Sequence, residues 1–211
     1  NPDTKIGCMV KAFGYGAGSY EIAKTLQDIG AGYLAVAVHD EGVELRKAGI
    51  TMPIMVLNPF VLNYKAMFSY NLEPEVFSIA ECKEIIREAE KYGITNYPVH
   101  IKLDSGMHRL GFVKEQLPEL IALLNSQKAI YPKSAFSHLA AADEDQHDGY
   151  TAAQFAYFDE CCAILDEGIK GERILRHILN TTGAVRFTEH QHDMVRLSIG
   201  LYGLKTVHAG R

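Results

Sequence analysis

Short apolar runs alternate with amphipathic segments along nearly the whole chain. The apolar runs are five or six residues long, which suits strands covered on both faces rather than buried helices. These runs lie at residues 6–10, 33–38, 53–57, 73–77, 99–103, 135–139, 174–179 and 194–199. The pattern therefore predicts about eight strands of a parallel sheet.

Between these runs the apolar residues recur at helical spacing. Ile22, Leu26 and Ile29 form one such stripe, which follows the possible N-cap Ser19 and ends at Gly30. The same spacing predicts further helices at residues 41–48, 79–92, 114–124 and 151–164. Strands that alternate with helices predict a parallel sheet covered by helices, and eight units favour a closed TIM-like (β/α)8 barrel over an open sheet.

The composition limits the partners and the number of domains. The 211 residues suffice for one barrel, so residues 1–211 are expected to form a single domain. A net charge of −5 offers no basic field for a nucleic-acid backbone, so no nucleic-acid partner is expected. No apolar run approaches the roughly 18 residues that a membrane helix needs. We expect a cytoplasmic protein without a membrane partner.

Cysteines and histidines give little support for a metal site. The four cysteines form no Cys-x-x-Cys pair, which favours reduced, buried thiols over disulfides or zinc. His190 and His192 could form a metal pair, but the polar stretch around them offers no nearby third ligand. We therefore expect solvated histidines and no bound metal.

In a barrel, the chemistry sits where the strands end. The first predicted strand runs into Lys11 and then into Gly14, Gly16 and Gly18. A lysine at a barrel mouth is costly to desolvate unless it has a task, and it suits a Schiff-base nucleophile. A dinucleotide turn would need Gly-x-Gly-x-x-Gly and fits this spacing poorly. On its own, the segment would be read as a surface lysine beside a flexible turn.

Polar residues recur at the later strand ends as well. They are the segment 104–112 that contains Arg109, then Ser137-His138, Asn180-Thr181 and the segment 193–203 that contains Arg196. Each residue alone is more often structural, but such an ordered set is difficult to produce by packing alone.

Two of these segments carry a family resemblance, Asp-Ser-Gly-Met-His-Arg-Leu-Gly at 104–111 and Val-Arg-Leu-Ser-Ile-Gly-Leu-Tyr-Gly at 195–203. Together with Lys11 and Tyr15, they resemble the barrel domain of the alanine racemases, a fold-type III family of pyridoxal-phosphate enzymes. Residues 9–16 further resemble the racemase half of a bacterial fusion with a muropeptide ligase. The resemblance implies pyridoxal 5'-phosphate as cofactor and interconversion of L- and D-alanine by the full-length enzyme, for peptidoglycan precursors.

The resemblance also implies roles for residues around the phosphate. Lys11 would bind the cofactor covalently and serve as one of two acid/base groups. Tyr15, the Thr181 hydroxyl and the backbone around Ser198 and Ile199 would hold the phosphate. This chain has Ala17 where relatives usually have His, and Ser198 where Gly is usual, so the Ser198 side chain is expected to crowd the phosphate contacts.

Further roles concern the ring and the substrate. Arg196 would face the pyridine nitrogen and keep it unprotonated, because a guanidinium does not give up its proton. Arg109 would bond the phenolate oxygen and lie near the substrate carboxylate. His138 would pack beside the ring, and Asn180 would lie next to the cofactor. Lys102 matches a position that is carbamylated in many relatives, where it orients Arg109.

Racemisation needs an acid/base group on each face of the substrate. In the family the second group is a tyrosine from the C-terminal β-domain of the partner in a homodimer. We expect this chain to be a fragment without that domain, which binds pyridoxal phosphate but racemises alanine poorly.

Three alternatives remain at this point. A stand-alone pyridoxal-phosphate carrier barrel would have a similar length and a lysine at a strand end. Such carriers, however, lack the signature found here at residues 104–112. Amino-acid decarboxylases of the same fold type hold the phosphate with a glycine triplet, which this chain does not contain. A structural fragment that binds no cofactor is the third.

Overall fold

Eight strands form the framework of the protein. A computed structural model describes residues 1–58 and 63–204. The strands are β1 Lys5–Met9, β2 Tyr33–Val36, β3 Ile54–Val56, β4 Leu72–Val76, β5 Tyr97–Lys102, β6 Ile130–Phe136, β7 Leu175–His177 and β8 Met194–Leu197. They lie in one sheet with the order β7-β6-β5-β4-β3-β2-β1-β8.

The sheet curls until its two ends meet. β1 pairs in parallel with β2 on one side and with β8 on the other. At the seam between β7 and β8, the N–H groups of Asp193 and Arg196 donate to the carbonyl oxygens of Arg176 and Leu179, at 3.1 and 3.0 Å. These bonds complete the circle, so the predicted (β/α)8 barrel is confirmed.

Helices cover the outside of this barrel. They are α1 Ser19–Asp28, α2 His39–Lys47, α3 Tyr64–Ser69, α4 Ile79–Lys91, α5 Leu117–Asn125, α6 Asp148–Gly168 and α7 Thr181–Arg186. The predicted helices are all present, although residues 114–116 form a 3-10 turn ahead of α5. Hydropathy did not predict α3 and α7, since six residues are too few to show a helical period. None of the helices described combines the length and apolar character that crossing a membrane requires.

The inside of the barrel has an apolar half and a polar half. Met9, Tyr33, Ala35, Met55 and Met194, from β1, β2, β3 and β8, form a small apolar cluster. The interior side chains of β4 to β7 are polar instead, among them Glu73, His100, Ser134 and His177. β6 begins at Ile130, five residues before the predicted start at 135. The hydropathy pattern missed this first half of the strand because it is not an apolar run.

All four cysteines are buried and free, as predicted. Burial raises the pKa of the Cys8 thiol to about 11 and that of Cys82 to about 12. Neutral thiols of this kind are poor nucleophiles and poor metal ligands.

The expectation of solvated histidines at 190 and 192 is wrong. His190 stacks on Phe155 with 3.8 Å between ring centroids, and His192 packs edge-on against Phe158. The structure also places a third possible metal ligand next to the two histidines. This is Asp159 of α6, whose Oδ1 lies 3.4 Å from His192 Nε2. Asp159 is distant in sequence, so the local pattern around the histidines could not reveal it. The absence of a metal here stays a prediction.

Two isoleucines offer a matched test of the core. Ile85 on α4 has no exposed surface, whereas Ile29 at the end of α1 is 74% exposed. Ile85→Ala should lower the free energy of unfolding by about 2–5 kcal/mol, because it removes buried methyl groups and leaves a cavity. Ile29→Ala should change it by less than about 0.5 kcal/mol. Urea unfolding of the two variants checks this, and equal losses would contradict the packing described.

Candidate active site

The carboxyl ends of the strands surround one cavity of about 480 Å³. Eight of the residues singled out from the sequence line it. They are Lys11, Tyr15, Lys102, Arg109, His138, Asn180, Arg196 and Ser198. Thr181 contacts Ser198 at the rim, while Ile199 begins the 3-10 turn that follows β8 and is not part of the lining. Residues distant in sequence are therefore assembled at one place.

Lys11 begins a helical turn with an unusual backbone. Ala12, Phe13 and Tyr15 have φ values of 51°, 54° and 54°, in the left-handed region that costs energy for residues with a Cβ. The Glu41 carboxylate stabilises this turn, since it accepts from the N–H of Ala12 and, with its other oxygen, from the N–H of Ala37, both at 2.7 Å. The turn directs both Lys11 and Tyr15 to the cavity.

The segment after β5 is a tight loop that presents Arg109. Asp104 Oδ1 accepts from the N–H groups of Gly106 and His108, each at 3.0 Å. Gly111 must be a glycine here, because its φ is 132° and a Cβ would lie 2.5 Å from Asp104 N. The diagnostic sequence of this loop therefore has a structural cause, which is to hold Arg109 at the mouth.

Hydroxyl groups meet at one end of the cavity. Thr181 Oγ1 accepts from the Ser198 N–H at 2.8 Å and lies 3.2 Å from Ser198 Oγ. Burial raises the pKa of Tyr15, and a hydrogen bond with Ser198 opposes this in part. Hydroxyl and backbone donors at the last strands of a barrel suit a phosphate. The Ser198 hydroxyl lies in this group, and its expected crowding of phosphate contacts stays a prediction.

Arg196 is held rigidly at the base of the cavity. Its Nη2 donates to the carbonyl oxygens of Ser137 and Ile178, at 2.5 and 3.2 Å. Its Nη1 donates to the carbonyl oxygen and to Nδ1 of His177, at 3.1 and 2.7 Å. Desolvation lowers the pKa of Arg196 to about 10, which still leaves it charged at neutral pH. A fixed cation thus faces the cavity.

His138 is neutral beside this cation. Burial, together with the nearby charge of Arg196, lowers its pKa to about 3. An uncharged imidazole can pack against an aromatic ring without adding to the positive charge around it.

Glu75 is a cavity residue that the sequence analysis missed. Its carboxyl group is buried, and desolvation raises its pKa, while the Lys102 charge opposes this. Desolvation and the nearby Arg196 lower the pKa of Lys102. One signal could have revealed this acid, since Glu73 and Glu75 alternate within a short strand and so point to the same side.

These groups together fit a flat, anionic, aldehyde-bearing ligand such as pyridoxal phosphate. Lys11 supplies an amine for the aldehyde, the hydroxyls of Tyr15, Thr181 and Ser198 suit a phosphate, and Arg196 offers a fixed donor at the base. Chemically, a guanidinium such as that of Arg109 can pair with a carboxylate, and an amine such as that of Lys11 can accept or donate a proton.

Comparison with known proteins identifies the family of this chain. Residues 1–206 match the family described as the alanine racemase N-terminal domain. Alanine racemase 2 of Bacillus subtilis (strain 168) is 40% identical over 205 residues, which cover 95% of this chain and 51% of the relative. The alanine racemase of Halothermothrix orenii is 38% identical over 207 residues, which cover 96% and 53%.

Solved structures share the fold. Alanine racemase of Clostridium difficile 630 aligns with a TM-score of 0.89 and 34% identity, covering 97% of this chain and 53% of that one. The Bacillus anthracis alanine racemase with bound L-Ala-P aligns with a TM-score of 0.85 and 32% identity, covering 97% and 53%. The chain thus spans about half the length of the curated relatives it matches. With its fold, its cavity and a match over residues 1–206, this chain belongs to the alanine racemase N-terminal domain family.

Proposed function

We propose that this domain binds pyridoxal 5'-phosphate in the cavity at the strand ends and attaches it to Lys11. The observation that supports this is the placement of Lys11, Arg196 and the hydroxyls of Tyr15 and Ser198 around one space of suitable size. When bound, this cofactor supplies a ring that withdraws electrons from the substrate carbon.

Lys11 is the proposed acid/base group of this domain. Its amine moves a proton to and from the substrate carbon on one face. Arg109 lines the same cavity and bears a charge that pairs with the substrate carboxylate. Both roles use side chains presented by loops that the structure holds tightly, so the reacting groups are preorganised.

Arg196 and His138 set the electrostatics of the site. The Arg196 guanidinium presents only donors, so it would hold a pyridine nitrogen placed against it in the unprotonated form and would thereby limit transamination and similar side reactions. The neutral His138 packs beside the ring, and Asn180, which caps α7 through Gly183 N–H at 2.9 Å, completes the wall.

Lys102 is the proposed site of a carbamate. Its uncharged amine would add carbon dioxide and release one proton, and burial favours that uncharged form. The resulting anion would face Arg109 and orient it.

For the whole protein we propose the interconversion of L- and D-alanine, which supplies D-alanine for peptidoglycan precursors. The names of the alanine racemases reported above support this reaction. These relatives are about twice as long as the matched region, and the second acid/base group is proposed to come from another domain of the partner in a homodimer. Racemisation of L-alanine by the full-length protein, followed by optical rotation, tests the proposal. No change in rotation would refute it and would favour a cofactor carrier.

Lys11→Ala should abolish covalent capture of the cofactor. Borohydride reduction of the chain mixed with pyridoxal phosphate should leave one pyridoxyl group on Lys11, as read by peptide mass spectrometry. The exposed Lys5 at the start of β1 provides the control, since Lys5→Ala should retain the label. Labelling spread over surface lysines, and equal in the Lys11→Ala variant, would overturn the proposal.

Thr181→Val should weaken binding of pyridoxal phosphate by about 10- to 100-fold, because one hydroxyl donor to a charged phosphate is lost. Binding of pyridoxal, which has no phosphate, should change much less. Thr188→Val is the matched control on an exposed threonine. Fluorescence titration with each ligand gives the two affinities. An equal loss of affinity for pyridoxal phosphate and for pyridoxal would show that Thr181 does not bind the phosphate.

A further inference from the structure

A row of hydrogen-bonded side chains crosses the polar half of the barrel. Glu73, His100, Ser134, His177 and Arg196 lie on the five successive strands β4 to β8. His100 Nε2 is 2.9 Å from Glu73 Oε2, and His100 Nδ1 is 2.6 Å from Ser134 Oγ. Ser134 Oγ is 2.9 Å from His177 Nε2, and His177 Nδ1 is 2.7 Å from Arg196 Nη1. The row therefore has no break from strand to strand.

The direction of the bond between Arg196 and His177 is fixed by chemistry. A guanidinium has donors and no acceptor, so His177 Nδ1 must accept. Burial and the Arg196 charge hold the pKa of His177 well below its ordinary value, so the ring is neutral. Its single proton is then on Nε2, which donates to Ser134 Oγ.

With one proton on each imidazole ring, the remaining directions follow from this first one. Ser134 accepts from His177, so its hydroxyl hydrogen is available for His100 Nδ1. His100 then bears its proton on Nε2 and donates to Glu73 Oε2. This arrangement leaves no donor in the row without an acceptor.

Glu73 is a suitable end for the row. A carboxylate only accepts, and Glu73 Oε2 also accepts from the Tyr33 hydroxyl at 3.0 Å. Glu73 lies at the edge of the barrel with 14% of its side chain exposed, while His100, Ser134 and His177 are fully buried. The negative charge therefore remains partly solvated while its hydrogen bonds reach into the interior.

We infer that Ser134, His100 and Glu73 are positioning residues that act through His177 to hold Arg196 at the base of the cofactor cavity. Polarisation along the row makes His177 Nδ1 a stronger acceptor, because each hydrogen bond strengthens the next. This inference rests on the proposed function only for the identity of the ligand that Arg196 faces, which is pyridoxal phosphate. The hydrogen-bond directions stand without a cofactor.

The first test reads the histidine tautomers in the cofactor-free chain. Long-range ¹H–¹⁵N spectra of histidine-labelled protein should show protons on Nε2 of both His100 and His177. Glu73→Leu removes the last acceptor, so His100 should lose its fixed Nε2–H form, whereas Glu73→Gln keeps an acceptor and should preserve it. Protons on Nδ1 in the unaltered chain, or no change in Glu73→Leu, would overturn the inference.

The second test reads the effect on Arg196. Ser134→Ala should speed the hydrogen exchange of the Arg196 guanidinium and weaken binding of pyridoxal phosphate by about tenfold, as one hydrogen bond to a charged group is weakened. Ser126→Ala is the control, since Ser126 bonds only locally to Leu123 O on the exposed end of α5. Unchanged exchange and affinity in Ser134→Ala would refute the positioning role. If the unaltered chain binds no cofactor, the proposed function fails. The tautomer measurement still tests the hydrogen-bond directions in the row.

Discussion

The structure depends on keeping one guanidinium charged inside a barrel. Arg196 is only 5% exposed, and moving such a charge from water to a protein interior costs on the order of several kcal/mol. Five acceptors offset that cost. They are three backbone carbonyl oxygens at the ends of β6 and β7 and two ring nitrogens, one of His177 and one of His138. Ser137 and Ile178 lie just beyond the last residues of β6 and β7, so the backbone at these strand ends helps to solvate the cation.

This requirement explains why the interior is divided. The half formed by β1, β2, β3 and β8 contains apolar side chains such as Met55, with Arg196 on β8 as the polar exception. The half formed by β4 to β7 contains polar side chains that are almost fully buried, and a buried polar group is destabilising unless it is paired. Each one in the row from Glu73 to Arg196 has a partner. The side chains that form the base of the cavity are therefore fixed by hydrogen bonds.

The barrel and most of the cavity residues could be predicted from the sequence because both have local sequence patterns. Apolar runs mark the strands, and Lys11, Arg109 and Arg196 follow or end them. The alternation of Glu73 and Glu75 puts both acids on one face of β4, but only barrel closure decides that this face points inward, so Glu75 was missed. The sequence pattern also missed the approach of Asp159 to His192, which only tertiary packing creates. The left-handed turn at Ala12 depends on the distant Glu41, so local propensity gives no indication of it.

We propose that the cofactor lies in one cavity between Lys11 and Arg196. A crystal structure of this chain grown with pyridoxal phosphate tests it most directly. We expect density continuous with Lys11 Nζ, a phosphate beside Tyr15, Thr181 and Ser198, and a ring nitrogen within hydrogen-bond distance of Arg196. A cofactor bound elsewhere, or turned so that its phosphate meets Arg196, would refute this placement.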